Sequence, residues 1–524
     1  MARFEAARSL ADIFRAQARA QPQATAQIFR DRVTIYGALD RRASQVANGL
    51  IALGARPGTR VGYLGKNSDL YFELLLGALK ANVVLVPVHW RLAPREAATI
   101  LADAGVGILF VGTGFASMVE AIAAAGHAAK EHIGMDGNNP AWPNFAAWRD
   151  AQPDRDPVLP IAPEDTAVQL YTSGTTGLPK GVELTNRNFL ASLTDYGSES
   201  LSGVGPADVV LTCMPVFHAA GTYVGMVPLA HGCTNVVMEE VSIPGLLDLI
   251  PRHRVTFAVM VPAVILALVQ HPDAPRTDFR SLRRLIYGAS PIAEDTVRRV
   301  KALLPGVELW QVYGATETCA SGTTLPPAFL EGPNSKIRSC GRPYRGVDVR
   351  VVGPLGDTLP TGEVGEIVIR CAAVMKGYWN NPKATRAAFF DGGWLRTGDA
   401  GYFDADGFLY IHDRIKDMII SGAENIYPAE VENALMDHPA IADAAVIGVP
   451  DERWGEAVMA IVVLKPGEGA SQADIIAFIR ARIAGYKLPK SIDFVPALPR
   501  NPSGKILRRE LRAPYWAGRT RQVN

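Results

Sequence analysis

The chain has 524 residues, enough for several structural units and for a sizeable core without disulfides or metals. Its 48% hydrophobic and 20% charged residues are the balance of a soluble globular protein, and a formal net charge of +1 offers no bulk field for nucleic acid or anionic lipid. The 5 cysteines, Cys213, Cys233, Cys319, Cys340 and Cys371, form no C-x-x-C pair, which argues against a zinc site or disulfide framework and for a reducing compartment, each being read as a small buried hydrophobe.

Residues 1–21 alternate charged and apolar positions at helical spacing and lack the continuous apolar stretch of a signal peptide. The most apolar run, residues 74–88, is broken by Lys80 and Asn82 and carries Pro87, so no transmembrane segment is expected. A cytoplasmic protein is expected; peripheral membrane contact and a homodimer stay open. Strand-like runs at 83–88, 107–111, 168–171, 209–212, 256–261 and 285–287 alternate with amphipathic segments, which predicts layered α/β sheets. From about residue 348 the runs DVRVV, GEIVI and GYFDADGFLYI with Gly/Pro turns predict short antiparallel strands in a meander or small barrel. A third unit of small α+β type follows. It has a helix opening at Pro428, strands at 444–449 and 457–464, a helix at 473–484, a strand at 492–495 and a Pro/Gly-rich turn, PRNPSGK.

The sharpest local feature is YTSGTTGLPKG at 171–181. Its three glycines free backbone N–H groups to face an anion, Thr172, Ser173, Thr175 and Thr176 add hydroxyl donors, and Lys180 adds charge. A strand precedes it, and Thr185 or Asn186 is expected to cap a following helix. The pattern is not a Walker loop, because Gly181 rather than Ser or Thr follows the lysine and Pro179 precedes it. Further along, Glu317 in a Thr-Glu turn offers an oxygen ligand for Mg²⁺, Asp399 lies in a Thr-Gly-Asp turn, and Lys505 lies in the NPSGK turn near the chain end. For the two acids a solvated turn residue is the alternative, and for Lys505 one more charge in a basic tail with Lys490, Arg508 and Arg509.

YTSGTTGLPKG, PVFH (215–218), YGAS (287–290), QVYGATET (311–318), GWLRTGD (393–399), DRIKDMIISGAENIYPAEVE (413–432) and NPSGK (501–505) follow one another as in the adenylate-forming superfamily. The chain resembles its acyl-CoA synthetases, and the bacterial fatty-acyl-CoA synthetases in particular. The resemblance implies an N-terminal adenylation domain at 1–415, a mobile C-terminal lid domain at 416–524 and Lys416 at the hinge. It implies ATP, Mg²⁺ and coenzyme A, with a carboxylic acid activated as acyl-AMP and then transferred to the thiol. The nucleotide would be held by Thr172, Ser173, Gly174, Thr175, Thr176, Gly177, Lys180, Gly288, Ala289, Ser290, Gln311, Val312, Tyr313, Gly314, Ala315, Thr316, Asp399, Arg414 and Lys505. Mg²⁺ would be held by Glu317 and Thr172, and Lys505 would bridge the carboxylate and the α-phosphate. Tyr313 would stack on adenine or belong to the core.

CoA would meet Ser421, Gly422, Ala423, Glu424, Trp454, Tyr486 and Lys490, although a buried Trp and Tyr are the default for two of these. His218, Ala219, Ala220, Val261, Gly288, Val312 and Gly314 would line the acyl pocket. Small residues there, with Gly221 and Gly225, predict an apolar slot for a medium or long aliphatic acid, and an aryl acid also fits. An amino acid is disfavoured because no carboxylate accompanies Ala219 and Ala220 to meet an ammonium. An acyl-AMP ligase that loads a carrier protein and a non-catalytic acyl- or nucleotide-binding protein are the alternatives.

Overall fold

A computed structural model describes residues 7–517 except 138–140, 174–178, 198–199, 291, 293, 334, 415–416, 422–423, 452–453, 481 and 501–505; of residues 173, 194–197, 412–414, 420, 424–425 and 455 it describes the backbone alone. The first helix, Leu10–Ala20, starts at Ser9, whose hydroxyl accepts from the Asp12 amide while the Asp12 carboxylate accepts from the Ser9 amide. That reciprocal pair satisfies two of the four N–H groups a helix start leaves open.

Two mainly parallel sheets form the layers. Among the described residues one has nine strands, in the order Arg342–Pro343, Thr323–Leu325, Glu308–Tyr313, Arg284–Gly288, Phe257–Met260, Val209–Thr212, Thr234–Val237, Thr25–Phe29 and Arg32–Ile35. The other has seven, in the order Gly377–Tyr378, Pro179–Thr185, Thr166–Ser173, Val84–Val88, Arg60–Leu64, Ile108–Val111 and Glu131–Gly134. One apolar core runs through both, joining Val61, Leu85 and Val168 to Val210, Phe257 and Ile286. The helix Asp69–Lys80 is buried along its whole length, so its acids and lysine are paired: Glu73 with Arg42 and Arg149, and Lys80 with Asp40 and Asp156. Unpaired, each would carry a desolvation cost of several kcal/mol, on the order given for buried ions. The run at 74–88 is therefore a buried helix, a turn and a buried strand. Among the described residues no helix is long and apolar enough to cross a membrane.

The predicted change of pattern at 348 is an antiparallel sheet of Asp348–Val352, Gly365–Arg370, Phe389–Phe390, Trp394–Phe403 and Leu409–Arg414. The last unit packs the helices Pro428–Met436 and Gln472–Arg480 on a sheet whose long hairpin is Ile441–Asp451 with Gly455–Leu464, around Ile419, Val431, Val446, Val458 and Ile475. The five cysteines are free, three of them buried.

Candidate active site

Four of the predicted motifs follow the C-terminal ends of parallel strands, those of Thr166–Ser173, Val209–Thr212, Arg284–Gly288 and Glu308–Tyr313, where open α/β sheets bind ligands. The 171–181 segment departs from expectation in one respect. Thr166–Ser173 turns back into a second strand, Pro179–Thr185, before any helix begins. The motif thus joins the two strands of a β-hairpin. The helix comes after the second strand, at Asn186–Gly197, and Thr185 caps it: its hydroxyl accepts from the Asn188 amide, and the Asn188 side chain accepts from the Thr185 amide. Thr172 lies directly opposite Lys180 in the hairpin, so the two side chains leave the same face. Gly174, Thr175, Thr176 and Gly177 lie outside the described residues, as does the side chain of Ser173.

Glu317 is brought to this hairpin by a tight turn. After the strand Glu308–Tyr313 the chain makes one 3₁₀ turn, Thr316–Thr318. Cys319 and Ala320 then take left-handed φ of 48° and 61° and bend the segment back so that the Ala320 amide bonds the Ala315 carbonyl. Two non-glycine residues in that region cost on the order of 1–2 kcal/mol each, which is strain held at a site. Gly314 is required by the same fold-back, since a Cβ there would lie 2.6 Å from the Ala320 backbone. The Glu317 carboxylate accepts from the Thr172 hydroxyl at 3.4 Å and from the Tyr378 hydroxyl at 3.1 Å, and the Lys180 ammonium lies 4.9 Å from the centre of the Tyr378 ring. Thr172 and Lys180 on the hairpin therefore converge with Glu317 from a distant segment, and Tyr378 joins them.

Asp399 is buried in the strand Trp394–Phe403 and accepts from the Tyr313 hydroxyl at 2.7 Å. Burial, and then the Asp399 charge, push the Tyr313 phenol well above its ordinary value, so it stays a donor to that carboxylate. Tyr313 is half-buried, with a ring beside the core and a hydroxyl committed to Asp399. Gly288 ends the strand Arg284–Gly288 opposite Val312, and a Cβ on it would meet the Val312 carbonyl at 2.3 Å. Ala289 follows with φ 70°, exposed, and Ser290 is half-buried beside it. The Gln311 amide reaches inward, to Tyr287 and Cys340. The side chain of Arg414 lies outside the described residues, though its backbone pairs with Asp399.

At the acyl end His218 opens the helix Ala219–His231. Its ring centre lies 4.6 Å from that of Phe217 and 5.9 Å from that of His89, which itself stacks on Phe217 at 4.0 Å. Burial, and then the Arg91 charge, pull the His89 imidazole down to about 4, so it stacks as a neutral ring at physiological pH. Val261 is buried at the start of Pro262–Gln270, and Ala219 and Ala220 are half-buried against different core clusters. Gly221 and Gly225, expected to widen an apolar slot, each stand in close contact with neighbouring groups. A Cβ on Gly221 would lie 2.1 Å from the Pro215 carbonyl oxygen, and one on Gly225 would lie 2.2 Å from the Phe72 ring. These two glycines serve helix packing, which small residues signal as readily as a cavity.

Asn67 is a support that no motif announced. Fully inside, just past the strand Arg60–Leu64, its amide donates to the Met214 and Met238 carbonyls at 3.0 Å each and accepts from the Val216 amide at 2.9 Å. It ties the PVFH segment to both sheets. Asn67→Ala leaves three buried backbone groups unpaired and is expected to destabilise the protein by about 2–4 kcal/mol; denaturant unfolding that matches the parent within experimental error would contradict this role.

Of the residues expected at the thiol step, Gly422, Ala423 and the side chain of Glu424 lie outside the described residues, as do Lys416, expected at the hinge, and Lys505, expected at adenylate formation. Ser421 ends the short strand Ile419–Ser421. Trp454 and Tyr486 are not core residues: they are 38% and 46% exposed, and Lys490 is exposed too.

The description "AMP-binding enzyme" matches residues 14–379, and "AMP-binding enzyme C-terminal domain" matches 430–505. The chain is 41% identical over 507 residues to a fatty acid–[acyl-carrier-protein] ligase of Streptomyces coeruleorubidus, covering 96% of each. It is 39% identical over 500 residues to a feruloyl-CoA synthase of Amycolatopsis sp, covering 95% of this chain and 97% of the relative. Among solved structures, an anthranilate CoA ligase in complex with anthranoyl-AMP superposes with a TM-score of 0.89 at 28% identity, covering 97% of both chains. With family matches on both units and relatives aligned along nearly its whole length, the chain belongs to the AMP-binding, adenylate-forming enzymes.

Proposed function

We propose that the chain is an AMP-forming acid–thiol ligase that activates an apolar carboxylic acid, a medium- or long-chain fatty acid, and passes it to coenzyme A. The convergence of Thr172, Lys180 and Glu317 at the hairpin tip carries this reading. A carboxylate oxygen attacks the α-phosphorus of ATP, and pyrophosphate leaves with the electron pair of the broken P–O bond, giving acyl-AMP. The thiol sulfur then attacks the acyl carbonyl, its proton passing to water, and AMP leaves as the thioester forms. Thr172, Lys180 and the 174–177 amides would hold the phosphates, Thr316 the α-phosphate, and Asp399 and Arg414 the ribose. Gly288–Ser290 and 311–315 would flank the base. Lys505 would meet the charge that builds at phosphorus. The 1–415 and 416–524 units, with Lys416 between them, would alternate between the two half-reactions.

Among the described residues no group of three or more His, Cys, Asp or Glu could cage a metal. The donors that do converge, the Glu317 carboxylate and the Thr172 hydroxyl, are hard oxygens. That set suits Mg²⁺, which keeps water and phosphate oxygens in the rest of its shell. Bound there, it would neutralise phosphate charge.

An aromatic acid is the second reading. It is favoured by the stacked Phe217 and His89 rings beside His218. A carrier protein in place of CoA is the acceptor named for one relative. Pyrophosphate release across straight-chain, branched and aromatic acids, with CoA, with hydroxylamine and with neither, separates these readings. AMP and a CoA-dependent thioester are expected. Formation of ADP would overturn the adenylate reading, and a trapped adenylate with no CoA thioester would move the acceptor to a carrier protein.

A further inference from the structure

We propose that Asp103, Arg60 and Trp379 are positioning residues that lock the stem of the phosphate hairpin to the strand bearing Tyr378, and so set the Thr172–Glu317–Tyr378 constellation; this rests on reading the hairpin tip as the nucleotide-phosphate site.

Gly377–Tyr378 is only two residues long and pairs with the hairpin strand at Glu183 and Val182. Two register pairs do not hold a strand by themselves, so its placement depends on side chains. The anchor is the next residue. The Trp379 indole N–H donates to the Asp103 backbone carbonyl at 2.9 Å, and the Trp379 amide donates to the Gly181 carbonyl at 2.8 Å. Asp103 lies in the last turn of the helix Pro94–Ala104, where carbonyls have no partner within the helix. Its carboxylate accepts the Tyr171 hydroxyl at 2.5 Å. One residue therefore grips both sides of the site, each one position from a group that matters: Tyr171 precedes Thr172, and Trp379 follows Tyr378.

Arg60 closes the circuit. Its guanidinium lies 3.2 Å from the Trp379 ring centre and donates to Gln169 at 3.1 Å and Glu183 at 2.8 Å, residues that face each other across the hairpin. Gln169 in turn donates to the Tyr171 hydroxyl at 3.0 Å. Gly181 is the clearance this packing needs, since a Cβ there would lie 2.5 Å from the Gln169 amide nitrogen. A ladder alone would fix the hairpin; the cross-links from a separate helix and a separate strand fix where its tip stands relative to Glu317.

Tyr171→Phe deletes the hydroxyl bond to Asp103 and keeps the ring; Trp379→Phe deletes the indole N–H bond and leaves a smaller aromatic ring facing Arg60. Each is expected to raise KM for ATP in acid-dependent pyrophosphate exchange by about fivefold to tenfold, the worth of one charge-assisted or well-made hydrogen bond. Thioester formation from supplied acyl-AMP and the melting temperature should stay near the parent's. Paired with Asp103→Ala, Tyr171→Phe should add little, because both remove the same contact. Unchanged KM in both phenylalanine variants of an active parent overturns the clamp alone. An equal fall in both half-reactions, tracking lost stability, also overturns it. A parent chain that neither binds ATP nor exchanges pyrophosphate overturns the phosphate-site reading, and the clamp with it.

Discussion

Glu317→Gln is expected to slow acid-dependent ATP–pyrophosphate exchange by about two to three orders of magnitude, the loss found when one preorganised charge-stabilising group is removed from an active site. The substitution keeps the volume and planar shape of the side chain. The turn that carries it is held by main-chain bonds, from the Met375 amide to the Glu317 carbonyl and from the Ala320 amide to the Ala315 carbonyl, and these are untouched. The Thr172 and Tyr378 hydroxyls can still donate to the glutamine oxygen. What is lost is the charge, and with it the anionic ligand for a cation that bridges phosphates. The defect should therefore appear as weakened Mg²⁺ dependence together with a lower kcat, while the melting temperature stays close to the parent's. A loss below threefold at saturating Mg²⁺ would mean that Glu317 is an ordinary turn acid.

The layered α/β architecture could be read from strand-length apolar runs separated by amphipathic ones, because burial on both faces leaves those runs uninterrupted. Strands at 84–88, 108–111 and 209–212 match their runs to within one residue. At 171–181 the strand before the loop and the cap at Thr185 could be read, but the second strand, Pro179–Thr185, could not, because its partner, Thr166–Ser173, pairs back on it only in three dimensions. Thr172, Lys180 and Glu317 were legible because their residue types are wrong for a core, while a hydroxyl and an ammonium suit phosphate and a carboxylate suits Mg²⁺. Tyr378, Asn67 and Asp103 were not. A tyrosine beside a tryptophan, an asparagine after a strand and an aspartate near a helix end are each commonplace, and they acquire a role only through contacts between distant segments. Gly221 and Gly225 show the converse. Small residues mark close approach, and local sequence does not say whether a substrate, a carbonyl or the Phe72 ring does the approaching.

Lys505→Ala is expected to lower adenylate formation by about two to three orders of magnitude while leaving thioester formation from supplied acyl-AMP within a few-fold of the parent. The residues on either side of 501–505 are fixed. Arg500 forms an antiparallel bridge with Ile506, its guanidinium pairs with Asp443 at 2.7 Å, and Ile506 packs against the small cluster of Ala445, Ile447 and Met459. A cation on so anchored a base can be delivered to the α-phosphate by moving the whole unit, without a search by a loose tail. Attack at phosphorus, with its crowded and charged transition state, belongs to the first step alone; in the second the acyl C–O bond breaks with the lysine withdrawn in the two-position account, so only the first step should feel its removal. Lys505→Arg keeps the charge but enlarges and spreads it, and should restore part of the exchange rate. If Lys505→Ala slows both half-reactions equally, or neither, the lysine does not divide the reaction and the two-position account of the C-terminal unit fails with it.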